Sequence, residues 1–122
     1  MNELFFDSYA IIELILENEN YEKFGEGLIT TSTLNLMEVY YFLLRQYNRQ
    51  TADFWMKKLN FNLSNIIKLD IALKAGKFRF EYKKEKLSYI DCIGYILSKE
   101  MNMKFLTGDE KFKNKNNVEF VK

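Results

Sequence analysis

Short apolar runs alternate with helix-forming segments along the chain, and this alternation constrains the fold more than any other feature of the sequence. Residues 4–6 form an apolar run typical of a central strand, and a predicted helix over residues 10–15 follows it. Residues 28–31 form a second run, and a long amphipathic helix over residues 34–47 follows it after a serine–threonine cap. Parallel neighbours require crossover connections, so the alternation predicts a mainly parallel sheet with helices on both faces.

The middle of the chain continues the alternation. Thr51 is the predicted N-cap of a shorter helix that ends near Leu59, and residues 65–69 form the predicted third strand. A further helix is predicted over residues 71–85. Small side chains on one face of it indicate close packing against another helix, and they are Ala72, Ala75 and Gly76.

The last part of the chain repeats the pattern once more. Ser88 opens a predicted helix that extends to Met101, and residues 104–107 form the predicted fourth strand. Gly108 permits a tight turn before a short helix that begins at Asp109, and residues 118–121 add an edge strand. At 122 residues the chain has the size of one domain. We therefore expect a single α/β domain over residues 1–122, with three layers around a sheet of four to five strands.

Four acidic residues stand where a predicted strand meets a helix or about one turn inside a helix. They are Asp7, Glu38, Asp91 and Asp109. In open α/β sheets the functional site lies beyond the carboxyl ends of the strands, so we expect these side chains to converge there. Two unit charges about 5 Å apart repel by roughly 3 kcal/mol at an effective dielectric constant of about 20. A divalent cation that prefers oxygen ligands, Mg²⁺ or Mn²⁺, would turn this repulsion into attraction.

Each acid also has a purely structural interpretation. Asp7 and Asp109 stand where N-caps are favoured, and Asp91 forms a Ser-x-x-Asp capping pattern with Ser88. Glu38 lies inside a largely apolar helix without a cation at the i+3 or i+4 position, so it needs another partner.

Two neutral residues lie one turn from Glu38 and from Asp91, and each has a functional and a structural interpretation. Asn35 is predicted to orient a carboxylate or a metal-bound water, and Gly94 to leave room for a ligand, with simple packing as the alternative for both.

Composition excludes several classes of chemistry. The chain has no histidine and one cysteine, Cys92, which removes histidine bases, catalytic triads, imidazole or thiolate zinc sites and internal disulfides. It lacks a signal peptide pattern and an apolar stretch of the roughly 20 residues that span a bilayer, so a cytoplasmic location is expected. The net charge of +1 gives no global basic field. Any RNA contact must therefore be local, and Lys86 and Lys111 are the predicted contacts.

Four segments resemble those of PIN-domain ribonucleases, in particular their VapC-type toxins. In chain order they read LFFDS, TSTLNLMEVYY, LSYIDCIGY and FLTGDEKF, and their order and spacing cover essentially the whole chain. The resemblance implies a Rossmann-like α/β/α domain that cleaves single-stranded RNA with Mg²⁺ or Mn²⁺. It also implies frequent homodimers and inhibition by a cognate antitoxin whose tail crosses the site.

The same resemblance implies roles for individual residues. The metal-binding and catalytic acids would be Asp7, Glu38, Asp91 and Asp109. Ser8 and Thr107 would be polar neighbours in the site, and Ser88 would match the small hydroxyl residue before the third acid. Glu110 stands close enough in sequence to leave open which acids contact the metal.

Three other functions are alternatives to a VapC-type toxin. A non-toxin PIN nuclease that processes RNA has the same sequence signals, and a catalytically silent PIN-like binding module usually loses acids that are present here. A phosphoacceptor domain usually has a paired acid or an Asp-x-Asp run, whereas this chain has Asp7-Ser8-Tyr9. A self-association patch is also predicted from aromatic residues, namely Tyr40, Tyr41, Phe42, Tyr47 and Trp55, with core packing as the alternative.

Overall fold

The computed structural model of the chain describes residues 3–63 and 66–122, and strands alternate with helices throughout these ranges. The strands are β1 (Leu4–Phe6), β2 (Ile29–Thr30), β3 (Phe61–Asn62), β4 (Lys104–Thr107) and β5 (Val118–Phe120). The α-helices are α1 (Ser8–Ile15), α2 (Thr33–Gln46), α3 (Arg49–Lys58), α4 (Leu69–Glu81) and α5 (Tyr89–Glu100). Short 3-10 helices cover Glu19–Phe24, Lys83–Glu85 and Glu110–Phe112. Within the described ranges, no helix combines the length and the apolar character needed to cross a membrane.

The strands form one sheet in the order β3-β2-β1-β4-β5, and each described pairing is parallel. The chain builds outward from β1 to β2 and β3, then returns to the other side of β1 for β4 and β5. The strand order therefore reverses between β1 and β4, and crevices at such points are where open α/β sheets bind ligands. The predicted parallel sheet is confirmed, with β5 as the predicted edge strand.

Alternate side chains of the central strands enter two separate cores, one on each face of the sheet. Phe5 and Phe105 pack in one core against α4 and α5. Phe6 and Leu106 pack in the other against α1, α2 and α3. Alternation along a strand sends neighbouring residues to opposite faces, so both faces of β1 and β4 are covered by helices. The predicted three-layer α/β/α arrangement is therefore confirmed.

Local predictions in the middle of the chain were wrong. The third strand is Phe61–Asn62 rather than residues 65–69: Leu69 already belongs to α4, residues 66–68 form no strand, and Asn65 lies outside the described residues. Strand β3 is set by its parallel pairing with β2, which the apolar pattern of residues 65–69 does not encode.

The cap of α3 and the packing face of α4 also differ from prediction. Asn48, and not Thr51, caps α3, because the Asn48 side chain accepts a hydrogen bond from the Thr51 backbone amide. Of the three small residues on α4, Ala75 is buried in the core with α5, whereas Ala72 and Gly76 are exposed. The α4 helix ends at Glu81, and a 3-10 turn takes the place of its predicted last turn.

Candidate active site

One open cavity at the carboxyl edge of the sheet is lined by all four predicted acids. It has a volume of about 340 Å³, and Asp7, Glu38, Asp91 and Asp109 contribute to its wall. Its remaining lining residues are Ser8, Tyr9, Ile12 and Tyr41. The cavity lies at the reversal between β1 and β4, because Asp7 follows β1 and Asp109 follows β4. The cavity thus gathers acids from four distant parts of the sequence, two placed by strand ends and two by helices.

Thr107 connects the two acids that follow the central strands. Its hydroxyl donates a hydrogen bond to Asp7 Oδ2 at 2.7 Å and accepts one from the Asp109 backbone amide at 3.1 Å. Asp7 Oδ1 accepts from the Ser8 amide at 2.9 Å, so both carboxyl oxygens of Asp7 have protein donors. The Asp7 amide in turn donates to the Leu106 carbonyl at 3.0 Å, which extends the β1–β4 pairing to the site. Asp7 is consequently held in one orientation.

Glu38 is held from α1 by a side-chain hydrogen bond. It lies in the second turn of α2, and its Oε1 accepts from the Ser8 hydroxyl at 2.6 Å. Ser8 also accepts from the Asn35 side-chain amide at 2.9 Å, and Asn35 is fully buried one turn before Glu38. The partner that Glu38 needs is thus a neutral hydroxyl rather than a cation. The prediction that Asn35 orients a carboxylate agrees with this contact, although the contact passes through Ser8.

The structural interpretations of the acids are also confirmed. Asp91 and Ser88 form a complete capping box, in which the Asp91 amide donates to Ser88 Oγ at 3.0 Å and the Ser88 amide to Asp91 Oδ2 at 3.2 Å. Asp109 caps the Glu110–Phe112 turn by accepting from the Lys111 amide at 3.0 Å. Asp91 and Asp109 can therefore cap a helix and line the cavity at the same time, because the cap fixes the backbone that carries each side chain.

Burial and mutual repulsion raise the proton affinity of these acids. Burial, then the charges of Asp91 and Glu38, raise the pKa of Asp7 to about 8, against the lowering effect of the Thr107 and Ser8 hydrogen bonds. Burial, and secondarily Asp91, raises the pKa of Glu38. Burial and the nearby Asp109 likewise raise the pKa of Asp91, although Ser88 and Lys111 oppose the shift. These carboxylates interact electrostatically, and a cation among them would favour their ionised forms.

The donor set suits a hard divalent cation, since the cavity presents carboxylate and hydroxyl oxygens and no nitrogen or sulfur ligand among its lining residues. The carboxylate oxygens lie farther apart than the ligands of one bound ion would. Across residues 3–63 and 66–122, no three acidic or cysteine side chains are close enough together to hold one ion. Coordination by three of these acids would require side-chain rotations that bring their oxygens together.

Other residues singled out from the sequence lie outside the cavity wall. Gly94 does not leave room for a ligand: a Cβ there would lie 3.2 Å from Phe105 Cε1 and 3.3 Å from Phe5 Cε1, so the glycine allows α5 to pack on the sheet. Glu110 faces Lys122 at 3.4 Å and does not line the cavity.

The two predicted RNA contacts lie side by side near the acids. Lys111 Nζ donates to the Lys86 backbone carbonyl at 3.3 Å, and both side chains are exposed. Lys111 is also close enough to Asp91 to lower its pKa, against the larger effect of burial.

Sequence reasoning did not assign Tyr9, Ile12 or Tyr41 to the cavity. Helical spacing offers the signal that was missed, because Tyr41 stands three residues after Glu38 and such residues share a helix face. Ile12 shares a face with Ser8 in the same way. Tyr41 is 60% exposed, and Arg45 lies 5.7 Å from the centre of its ring.

Comparison with protein families identifies a family match over most of the chain. The model of the PIN domain family matches residues 4–118. A search of curated proteins by sequence finds no significant match.

Several solved structures with the same fold are described as toxins or as toxin–antitoxin complexes. A toxin–antitoxin complex from Klebsiella pneumoniae matches with a TM-score of 0.71 and 21% identity, covering 96% of this chain and 95% of the other. VapC20 of Mycobacterium tuberculosis, described as a sarcin-ricin loop cleaving toxin, matches with a TM-score of 0.73 and 13% identity over 98% and 97% of the two chains. VapBC2 of Rickettsia felis, solved with a DNA fragment from its promoter, gives 0.73 and 14% over 97% and 96%. At these identities the likeness shows the fold alone.

Proposed function

Because the chain belongs to the PIN-domain family, we propose that it is a metal-dependent ribonuclease that hydrolyses RNA phosphodiesters at the acidic cavity. The observation that supports this function is the gathering of Asp7, Glu38, Asp91 and Asp109 around one cavity at the reversal of strand order. Four acids around one cavity repel one another when ionised, and a bound cation would relieve this repulsion. Phosphodiester hydrolysis is a reaction in which such an arrangement is useful.

We assign Asp7 and Asp91 to the principal Mg²⁺ or Mn²⁺, Asp109 to a second or transient ion, and Glu38 to the ion or to the attacking water. When bound, the ion supplies charge neutralisation at the phosphate and lowers the pKa of water. The protein contributes orientation: Thr107 and the Ser8 amide hold Asp7, and the Ser8 hydroxyl holds Glu38. No protein nucleophile is required.

Within the family, we propose a VapC-type toxin with a cognate antitoxin as protein partner. The support is the match to structures described as toxin–antitoxin or VapBC complexes, which at low identity bears on fold rather than on biology. Action in the cytoplasm belongs to the same proposal and agrees with the lone, buried Cys92. Identification of a small DNA-binding protein encoded directly upstream would support the toxin assignment over RNA processing.

A non-toxin nuclease that processes RNA is the second candidate, because it would use the same cavity. A silent binding module is disfavoured, since all four acids are retained and each lines the cavity.

The test of the reaction class is cleavage of assorted single-stranded and structured RNAs with and without Mn²⁺. We expect the wild type to cleave only with the ion, and Asp91→Asn to lose about 100-fold or more in rate, because several kcal/mol of charge stabilisation is removed. An asparagine at this position can still accept from the Ser88 amide, so the cap of α5 is retained. Asp70→Asn, in the first turn of α4, is the matched control and should cleave normally. Equal cleavage by Asp91→Asn and wild type would contradict the assignment.

A further inference from the structure

A series of buried hydrogen bonds runs from the N-cap of α2 to the Glu38 carboxylate. We propose that Asn35 is a positioning residue, which fixes the direction of the Ser8 hydroxyl and thereby the orientation of Glu38 toward the cavity. This inference rests on the proposed function for its consequence in catalysis, but the hydrogen bonds themselves do not depend on it. The series comprises Ser32, Asn35, Ser8 and Glu38, and is called the Ser32–Glu38 series below.

The first step of the argument concerns the side-chain amide of Asn35. The Asn35 backbone amide donates to Ser32 Oγ at 3.1 Å, as expected for an N-cap. Ser32 Oγ therefore keeps its own proton for another acceptor, and Asn35 Oδ1 lies 2.6 Å away. Since Oδ1 accepts from Ser32, the Nδ2 group must face the opposite way. The cap of the helix thus sets which end of the amide points to Ser8.

The second step concerns the single proton of Ser8. Asn35 Nδ2 donates to Ser8 Oγ at 2.9 Å, which uses an acceptor position of the hydroxyl and directs its proton elsewhere. Two acceptors are in reach: Glu38 Oε1 at 2.6 Å and the Asn35 carbonyl at 3.3 Å. The shorter contact goes to a carboxylate, and hydrogen bonds to charged acceptors are the shorter and stronger kind. Each side-chain donor in the series therefore points toward Glu38.

Burial makes this direction hard to change. Asn35 and Ser32 are essentially inaccessible to solvent, and Ser8 is 7% exposed. Water therefore cannot easily replace a lost partner, and an unpaired buried polar group costs about 1–3 kcal/mol. A Cβ on Gly94 would lie 3.6 Å from Asn35 Oδ1, so α5 packs close to the amide oxygen. The amide is held by hydrogen bonds at both ends.

The consequence falls on the two oxygens of Glu38. Because Oε1 is engaged by Ser8, the other oxygen is left for a cation or a water in the cavity. Groups that hold a ligating carboxylate in this way typically change metal affinity about 10- to 100-fold when they are removed. The Asn35→Asp substitution tests the direction with almost no change of shape. When ionised, a carboxylate there accepts hydrogen bonds only, so it would draw the Ser8 proton away from Glu38. Burial favours the protonated form, so this variant is measured over a pH series that extends to alkaline values.

The experiment measures Mn²⁺ binding by electron paramagnetic resonance and RNA cleavage with kcat and KM separated. We expect Asn35→Asp to bind Mn²⁺ about 10- to 100-fold more weakly and to lower kcat more than it raises KM for RNA. Asn48→Asp is the matched control, because Asn48 caps α3 outside the cavity and an aspartate can still cap. It should bind and cleave like the wild type. In the Glu38→Gln background, Asn35→Asp should cause no further loss, since it acts through Glu38.

Ser8→Ala is the second variant and covers the case in which the buried carboxylate of Asn35→Asp prevents folding, which circular dichroism would reveal. It removes the middle of the series with a small loss of volume, and we expect the same loss of Mn²⁺ affinity. Wild-type Mn²⁺ affinity in a folded Ser8→Ala or Asn35→Asp protein would overturn the inference.

A metal-free readout separates this inference from the proposed function. The side-chain carboxyl carbon signal of Glu38 in nuclear magnetic resonance should shift in Asn35→Asp and Ser8→Ala, and remain in place in Asn48→Asp. If the wild type neither binds Mn²⁺ nor cleaves RNA, the proposed function fails, yet this shift would still support the positioning of Glu38. An unmoved signal in both variants would overturn the positioning role itself.

Discussion

At the scale of single residues, burial of the Asp7 carboxyl carries a cost in stability for the metal-free protein. This carboxyl is buried beside Asp91 and Glu38, and its pKa is raised to about 8 in the folded protein, whereas an unfolded chain has a value near 3.8. Between these two values the folded state holds a proton that the unfolded state releases. The free energy of unfolding of the metal-free protein should therefore fall as pH rises from about 4 to about 8, and level off above.

Replacing Asp7 removes this dependence. Each pKa unit corresponds to about 1.4 kcal/mol, so we expect metal-free Asp7→Asn to be more stable than the wild type at pH 7 by roughly 3 kcal/mol, after allowance for about one weakened hydrogen bond. Urea unfolding at several pH values between 4 and 8 measures the free energy of unfolding of both proteins. Glu26→Gln, which removes an exposed carboxylate, is the control. A pH profile of Asp7→Asn parallel to that of the wild type would show that Asp7 is not the group responsible.

The residues of the cavity differ in how far the sequence could predict them. Asp7 and Asp109 follow directly from chain order, because each comes right after a strand of a parallel sheet. The Ser32–Glu38 series could be anticipated only in part, since Ser32 as a cap is a local signal whereas the Ser8–Glu38 contact depends on how α1 and α2 pack. Tyr41 was assigned to a self-association patch from its aromatic character, although its spacing from Glu38 also places it at the cavity.

At the scale of elements, the approach of α5 to the sheet depends on Gly94. The rings of Phe5 and Phe105 occupy the space that a side chain would need. Gly94→Ala should destabilise the fold by about 1 kcal/mol, because crowding in a packed core costs about 1–3 kcal/mol and the gain in helix propensity offsets about 1. Gly76→Ala on α4 has no atom within 4 Å of its new Cβ and should instead stabilise by about 1 kcal/mol.

Chemical denaturation of both alanine variants checks this pair. Stabilisation by Gly94→Ala equal to that by Gly76→Ala would show that α5 does not need a glycine to reach the sheet.

Elements with a strong local signal were predicted well, and elements set by distant partners were not. Strand β1 is an apolar run and β4 is centred on Phe105 and Leu106, and the predicted bounds of both strands are those observed. Strand β3 has two half-buried residues and exists through pairing with β2, so no local apolar run marks it. The α3 cap shows the same limit, because Asn48 and Thr51 are both good cap residues and the local sequence does not choose between them.

At the scale of the whole molecule, charge is nearly balanced, so RNA binding would depend on a few cations close to the acids. Lys111 is the best placed of these, since it is exposed and adjoins Asp91 and the Lys86 backbone. Lys111→Ala should weaken RNA binding and reduce the slope of log affinity against log salt by about 1. Lys86→Ala should act in the same direction, and filter binding over a salt series measures both.

Lys23→Ala is the control, because Lys23 lies with Glu3 and Met103 near the amino ends of the strands. Equal loss of RNA binding in Lys23→Ala and Lys111→Ala would indicate a diffuse charge effect rather than contact near the cavity.

Self-association remains a prediction, and the aromatic patch divides into two parts. Tyr40, Phe42 and Trp55 pack against the core, whereas Tyr41 and Tyr47 are exposed. We expect a homodimer in sedimentation velocity at micromolar concentration, and weakened association in Tyr47→Ser. A monomer under these conditions would contradict the predicted homodimer.

The hydrogen bond from Thr107 to Asp7 joins groups 100 positions apart in the sequence. A nascent chain is synthesised from its amino terminus at roughly 5–20 residues per second, so Asp7 is made well before the strand that holds it. Until β4 has left the ribosome and paired with β1, the polypeptide has no place where these oxygens meet. Translation thus imposes a delay between synthesis of Asp7 and formation of the cavity that it lines.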